Sequence, residues 1–394
     1  MSREVVFVGA ARTAIGSFGG ALKDVPPADL GALVIKTALE RAGVQPKDVG
    51  HVVVGHVIPS VPQDAYISRV AALNAGVPQE APAFNVNRLC GSGLQAIVSA
   101  AQSIQLGDCE VAVGAGAESM SRGAYLVTSN RWGARMGDVK MLDFMLGALH
   151  DPRMHIHMGI TAENVAARYE ITREQQDAYA VQSQQRAAKA IAAGIFKDQI
   201  VPVEIKTRKG VVLFDTDEGV KGDTTVEALA KMKPAFKKEE GTVTAGNAST
   251  LNDGAGAVVM ASAEKAKELG LKPLARLVAY GHAGVEPEYM GIGPVPASRN
   301  ALAKAGLTIA DMDLIEANEA FAAQACAVAK ELGLDNEKVN PNGSGISLGH
   351  PVGGTGAILV TKAIYELQRT GGRYALITMC IGGGQGIALI IERV

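Results

Sequence analysis

The chain has 394 residues, 47% of them hydrophobic, 20% charged and 4% aromatic, with 46 glycines. That length allows two or three cores of ordinary domain size, and glycine is well above its average usage of about 7%, so a tightly packed, Ala/Gly-built globular protein is expected. Thirty-eight basic against 40 acidic side chains leave a net charge of −2, which supplies no overall field for nucleic acid or an anionic membrane; neither is expected as a partner.

Met1-Ser2-Arg3-Glu4 leads directly into the apolar run Val5–Ala11. The basic region, long apolar core and cleavage site of a secretory signal are missing, so a cytoplasmic location is expected. The first strand, Glu4–Val8, is followed by Gly9-Ala10-Ala11-Arg12 rather than GxGxxG, which argues against a nucleotide-binding dehydrogenase. Pro27–Ala42 then reads as a helix, His51–Val57 as a strand and Asp64–Asn74 as a helix. This alternation predicts a layered α/β fold. Small residues around Cys90 lead into the helical pattern Leu94–Ile104.

Between about Ser121 and Gly246 the pattern changes to Met- and Arg-rich turns, one long amphipathic stretch Ala162–Ala193, and a charged segment Lys206–Glu240. It has the character of an insertion, and most of its lysines read as a solvated face. Beyond it come helix Ser298–Ala305, strand Leu314–Glu316, helix Phe321–Leu332, helix Ala357–Leu367 and strand Tyr374–Met379. The most apolar late stretch, Ala375–Ile391, is interrupted by Gly382-Gly383-Gly384-Gln385-Gly386. It predicts two short buried strands and not a membrane span.

The late elements repeat the early ones. Ala38-Leu39-Glu40-Arg41-Ala42-Gly43-Val44 aligns with Ala301-Leu302-Ala303-Lys304-Ala305-Gly306-Leu307, and the register continues to pair Asp48 with Asp311 and Val52 with Ile315. Val86-Asn87 before Gly91-Ser92-Gly93 is matched by Val339-Asn340 before Gly343-Ser344-Gly345. Two related halves are expected.

Four cysteines, Cys90, Cys109, Cys326 and Cys380, form no CxxC pair and no metal-like spacing with histidine, so no metal is expected. Cys90 stands at a glycine-flanked helix start, where free N–H groups and the positive dipole end would stabilise a thiolate and lower its pKa; inert burial is the alternative. His350, in Gly349-His350-Pro351-Val352-Gly353-Gly354-Thr355-Gly356, could take the Cys90 proton. Cys380 ends a buried strand at a turn where backbone can approach a ligand, with plain packing as the other reading. Asn318 lies at a strand-to-helix junction, where N-capping is the structural alternative.

Asn87–Gly93 around Cys90, Asn318-Glu319-Ala320-Phe321, Gly349-His350-Pro351 and Cys380-Ile381-Gly382-Gly383-Gly384-Gln385-Gly386 together resemble the four signature blocks of thiolases. Further likeness lies in Glu118-Ser119-Met120-Ser121, His157-Met158-Gly159, Gly246-Asn247-Ala248-Ser249 and Gly291-Ile292-Gly293-Pro294, so the resemblance spans the whole chain. It implies a five-layered αβαβα fold of two repeated halves with an inserted loop domain. Residues 1–120, with 247–273 returning to them, would form the N-terminal half, 121–246 the insertion and 274–394 the C-terminal half.

By the same resemblance, Cys90 activated by His350 attacks an acyl thioester, and Cys380 removes the α-proton of acetyl-CoA. His350 with a water held by Asn318 would serve the enolate, and the N–H groups of Cys90 and Gly382 the tetrahedral adduct. Leu149, His157, Met158 and Ser249 would lie beside the pantetheine, Met290 would line the acyl pocket, and Phe321 would also contact the substrate. Lys221 stands where the family often has an arginine near the nucleotide, Thr250 replaces a usual glycine, and Val352, Gly354 and Thr355 vary the His-Pro block. Coenzyme A thioesters are then substrates, with no permanently bound cofactor. Ile346–His350 and Gln324–Val328 resemble bacterial broad-range β-ketothiolases of polyhydroxyalkanoate synthesis. Those are homotetramers, dimers of dimers, which places the tetramer contact between Ser121 and Met141.

Three rivals remain. A decarboxylating condensing enzyme of the ketoacyl synthase type would use two histidines and lack Cys380. A non-catalytic acyl-CoA carrier would not need all four polar groups. The dehydrogenase lacks its fingerprint.

Overall fold

The computed structural model describes residues 3–394. Nine strands, β1 Val5–Arg12, β2 His51–Gly55, β3 Ala83–Val86, β4 Val111–Ser119, β5 Asn252–Ser262, β6 Ala275–Gly284, β7 Leu314–Ala317, β8 Tyr374–Ile381 and β9 Gln385–Arg393, run in the order β7-β8-β9-β6-β1-β5-β4-β2-β3. The short strand Gly16–Ser17 adds to β5 as a tenth member. The β2–β3, β2–β4 and β7–β8 pairs are parallel and the others antiparallel. Midway, β1 and β6 share only two residue pairs, Val6 with Arg276 and Phe7 with Ala275. There the path folds over.

Helices α1 Pro27–Ala42 and α2 Ile67–Asn74 cover the outer face of the first half, where Leu30, Val34, Ile35 and Leu39 meet Val52, Val54, Val113 and Val259. Further along are α3 Ser92–Leu106, α4 Met158–Arg168, α5 Arg173–Ala192, α6 Pro294–Ala305, α7 Ala322–Leu332 and α8 Thr355–Thr370. Between the two halves of the sheet lie α3 and α8, contributing Leu94, Ile97, Leu359 and Ile364 to a core that includes Val258, Ile377 and Leu389. On the far side α6 covers Ile315, Leu376 and Ile390. The result is the expected αβαβα layering. Strands covered on both faces read as continuous apolar runs, which is why β4, β5, β8 and β9 lack alternation.

The repeat is visible in the pairing. Val52 pairs with Val113 in the first half and Ile315 with Leu376 in the second, a shift of 263 residues on both strands (315 − 52 and 376 − 113). The same offset carries Ala117 onto Cys380. At the centre the two buried helices touch through main chain: a Cβ at Gly356 would overlap the backbone nitrogen of Leu94. Gly356→Ala is therefore expected to cost at least about 2 kcal/mol, read as a lower urea midpoint at unchanged slope.

The inserted residues pack onto this frame through buried polar links. Arg12, on β1, donates from Nη1 and Nη2 to Asp217 at 2.8 and 3.0 Å and from Nε to Gln199 at 2.7 Å. The expected single stretch Ala162–Ala193 is instead two helices, α4 and α5. The chain turns at Glu170, with φ of 56°, and Thr172 restarts the helix as an N-cap that accepts the Gln175 N–H. Sequence periodicity continued across the break because α4 buries Ala162, Val165 and Ala166 and α5 buries Ala180, Val181, Ala187 and Ala190 at helical spacing. By contrast, Trp132 is 91% and Met136 96% exposed, beside exposed Tyr125 and Met141.

Candidate active site

Cys90 lies in a tight turn between β3 and α3. Leu89 takes φ of 48°, the Ser92 hydroxyl donates to the Leu89 carbonyl at 2.6 Å and accepts the Arg88 N–H at 2.8 Å, and Gly91 caps α3. A side chain at Gly91 would overlap Ile381, and one at Gly382 would meet Leu89 and Met158. The turn bearing Cys90 thus rests against the end of β8, which carries Cys380. The N–H groups of Gly382 and of Cys90 itself reach the Cys90 sulfur, and the Cys90 sulfur acts in turn on Cys380.

His350 is fully enclosed. Its N–H donates to Asn252 Oδ1 at 2.9 Å, Nδ1 lies 2.6 Å from Thr355 Oγ1, and Nε2 lies 3.4 Å from Asn318 Nδ2. The Thr355 hydroxyl donates to the Pro351 carbonyl at 2.9 Å, so it accepts from His350, which places the ring hydrogen on Nδ1 and leaves Nε2 with its lone pair, facing the Asn318 amide donor. Val352, two residues on, packs in one apolar cluster with Cys90, Leu89 and Leu149.

Asn318 is not the helix cap. Phe321 is the N-cap of α7; Asn318 sits three residues earlier, buried, donating its N–H to Thr378 at 3.0 Å and accepting from Gln324 at its carbonyl. Its Oδ1 is buried without a hydrogen-bond partner.

The expected low pKa of Cys90 is also corrected. Burial pushes the thiol up to about 11, against the pull of the Gly382 and Cys90 N–H groups and with a further push from the Glu118 charge. Loss of water around the sulfur outweighs the helix end. Cys380 is raised further, by burial first and by Cys90 second. Burial lowers His350 to about 4. At neutral pH the site therefore holds two thiols and a neutral imidazole, a pair poised for proton transfer at the moment of attack.

Met158, Met290, Phe321 and Cys380 share one apolar cluster with Phe236. His157 stacks on Phe236 at 4.7 Å and caps α4 by accepting the Gly159 N–H on Nδ1; burial lowers its pKa to about 4. Leu149 joins it through the Met158 N–H, which donates to the Leu149 carbonyl at 2.9 Å. Ser249 is tied to the same place by its N–H, 2.9 Å from the Ala320 carbonyl. Lys221 stands apart. Its N–H donates to Gln184 at 2.7 Å and its side chain is exposed.

Sequence reading assigned no role to Asn252, Thr355, His56 or Glu118. Thr355 had a signal, being a hydroxyl five residues after His350; the others depend on chain segments far apart. Among the described residues no His/Cys/Asp/Glu group could hold a metal ion, and no helix is long and apolar enough to cross a membrane.

Residues 5–264 match the family "Thiolase, N-terminal domain" and residues 271–393 match "Thiolase, C-terminal domain". Among curated proteins, the chain is 66% identical over 394 residues to beta-ketothiolase BktB of Cupriavidus necator, covering 100% of each. It is 53% identical to an acetyl-CoA acetyltransferase of Chromobacterium violaceum, over 99% of this chain and 100% of that one. Among solved structures, human mitochondrial 3-ketoacyl-CoA thiolase matches with a TM-score of 0.97 at 47% identity, over 100% of this chain and 99% of that one. The complex of human mitochondrial 3-ketoacyl-CoA thiolase with CoA gives 0.96 at 46% identity, over 100% and 98%.

Proposed function

This chain belongs to the thiolase family, and from that premise we propose that its chemistry runs through two sulfurs, with Cys90 as nucleophile and Cys380 as proton carrier. It is a β-ketothiolase, an acetyl-CoA C-acetyltransferase, catalysing the reversible Claisen condensation of acyl-CoA thioesters and the reverse thiolysis. The observation that supports the residue roles is the joint packing of the Cys90 turn and the Cys380 strand end, with Val352 of the His350 loop in the same apolar cluster as Cys90 and a His350 ring whose hydrogen is on Nδ1.

In the first half-reaction His350 Nε2 takes the Cys90 proton as the sulfur attacks the acyl carbonyl. The oxyanion of the adduct sits between the N–H groups of Cys90 and Gly382. Collapse breaks the carbon–sulfur bond to coenzyme A, which leaves with the proton from His350. In the second, His350 accepts the Cys380 proton, and the Cys380 thiolate removes the α-proton of acetyl-CoA. The imidazolium, with Asn318 Nδ2 beside it, faces the enolate oxygen. The enolate carbon then attacks the acyl carbonyl on Cys90, and the departing Cys90 sulfur recovers a proton from His350. A thiol pKa raised by burial suits Cys380, because its thiolate is then a strong base.

Leu149, His157, Met158 and Ser249 are proposed to flank the pantetheine, Met290 and Phe321 to bound the acyl group, and Lys221 to offer a point charge to the nucleotide phosphates. Incubation with acetyl-CoA alone is expected to leave one acetyl group on the peptide containing Cys90, read by mass spectrometry of the digest. An acetyl group on Cys380, or none, overturns the assignment.

The exposed apolar residues between Ser121 and Met141 are proposed as the contact that joins dimers into a tetramer. Trp132→Glu with Met136→Glu is expected to lower the solution mass from four chains to two by light scattering, with thiolysis retained.

A further inference from the structure

We propose that His56 is a positioning residue for Cys90: an imidazolium held between Glu118 and Asp64, it offsets the carboxylate that braces the nucleophile's pocket and keeps that charge from opposing thiolate formation. This rests on Cys90 being the nucleophile.

Glu118, near the end of β4, is completely buried. Its carboxylate accepts the N–H groups of Val57 and Ile58 at 3.1 Å each and of Gly353 at 2.9 Å. Val57 and Ile58 belong to the apolar cluster around Cys90, and Gly353 lies three residues past His350. One carboxylate thereby fastens the wall beside the nucleophile to the loop that carries the base. Its charge reaches the sulfur and disfavours the thiolate, an effect that is strong where water is excluded. An uncompensated carboxylate here would hinder the reaction it organises.

His56, directly after β2, supplies the compensation. Its Nδ1 lies 2.9 Å from the Ala117 carbonyl and 3.1 Å from Glu118 Oε1. Both are acceptors, so Nδ1 carries hydrogen. Nε2 is buried without a hydrogen-bond partner and faces Asp64 Oδ2 at 3.9 Å. Asp64 already accepts from the Ser60 N–H, the Ser60 hydroxyl and the Val61 N–H. A bare Nε2 lone pair would point at that carboxylate; a proton there turns repulsion into attraction. Burial pulls the ring's pKa down, but the Glu118 charge and hydrogen bond, the Ala117 carbonyl and the Asp64 charge outweigh it, lifting it to about 9.

The charged groups facing the ring are Glu118 from β4 and Asp64 from the turn Pro62–Tyr66. The Cys90 turn offers only its thiol, which faces Glu118, and the 350–353 loop offers to Glu118 the amide of Gly353. The internal repeat adds a second line of support. Its offset of 263 carries Ala117 onto Cys380 and His56 onto Glu319, the neighbour of Asn318, so this ion pair occupies in the first half the edge that holds reactive groups in the second.

The test compares His56→Gln, Glu118→Gln and the double variant by the rate of iodoacetamide alkylation of Cys90 against pH, with the modified peptide identified and KM for acetoacetyl-CoA measured alongside. His56→Gln is expected to alkylate about tenfold more slowly at pH 8 with KM unchanged, and adding Glu118→Gln is expected to restore the rate. Unchanged alkylation in His56→Gln, or a double variant slower than the single, overturns the proposal. Should His56→Gln fail to fold, neutron diffraction of the wild-type enzyme at pH 7.5 decides. Deuterium on both ring nitrogens is expected, and on one alone refutes it. If activity is lost without alkylation at Cys90, the nucleophile assignment fails instead.

Discussion

Cys380→Ser is expected to accept an acetyl group on Cys90 at close to the wild-type rate, yet to form acetoacetyl-CoA about 10²–10⁴-fold more slowly. The hydroxyl fits the space of the thiol, which is wholly buried in the cluster of Met158, Met290 and Phe321, so the fold is retained. What is lost is a group that His350 can deprotonate. A serine alkoxide is far less accessible than the thiolate, even with the thiol raised by burial and by Cys90. Acylation, which uses only Cys90, His350 and the two N–H donors, is left intact. The two half-reactions are separated by following CoA release with acetyl-CoA alone and acetoacetyl-CoA formation over time. Wild-type condensation by this variant would remove Cys380 from the proton path.

His350→Asn is expected to slow both half-reactions, each by about 10²–10⁴-fold. With Cys90 at about 11, only about one sulfur in ten thousand is ionised at pH 7, following from the difference of four units, so attack depends on a base in place. Asparagine can still face Asn252 through its backbone but cannot take a proton. The pH profile supplies the sign. The active form of His350 is the neutral ring, and burial lowers its pKa from 6.5 to about 4. Acylation by the wild type is thus expected to persist as pH falls through 6.5 and to decline only near 4, the decline following protonation of Nε2. In His350→Asn that acid limb disappears. An acid limb centred at 6.5 in the wild type would mean that the ring is solvated during turnover.

The residues of the proposed site carry their own marks in the sequence. Cys90, Cys380 and His350 each stand in a run of small residues, and such runs mark where backbone comes close to something. The repeat was legible as well, because helix α1 and helix α6 preserve the same apolar spacing, and the pairing of β2 with β4 and of β7 with β8 follows the same offset. What could not be read was whatever depends on two distant segments meeting. The protonation of Cys90 is set by Ile381 and Gly382, nearly 300 residues on. Glu118 meets His56 and Gly353 across three segments with no common spacing. Asn318 resembled a helix cap because the junction composition fits one, while tertiary contact with His350 decides its use. The break at Glu170 was hidden since alanines and valines recur at helical spacing on both sides of it.

The close approach of α3 and α8 has a bearing on how the enzyme can be altered. Cys90 precedes one of these helices and His350 the other, and at their crossing no side chain stands between Gly356 and Leu94. The gap between the proposed nucleophile and its proposed base is accordingly gauged by peptide groups, which have no rotamers to relax into. The walls contributed by Met158, Met290 and Phe321 are of the opposite kind, flexible or aromatic side chains that can be trimmed one at a time. Tailoring the enzyme to bulkier acyl groups is a matter of resizing those walls while the reacting atoms keep their spacing.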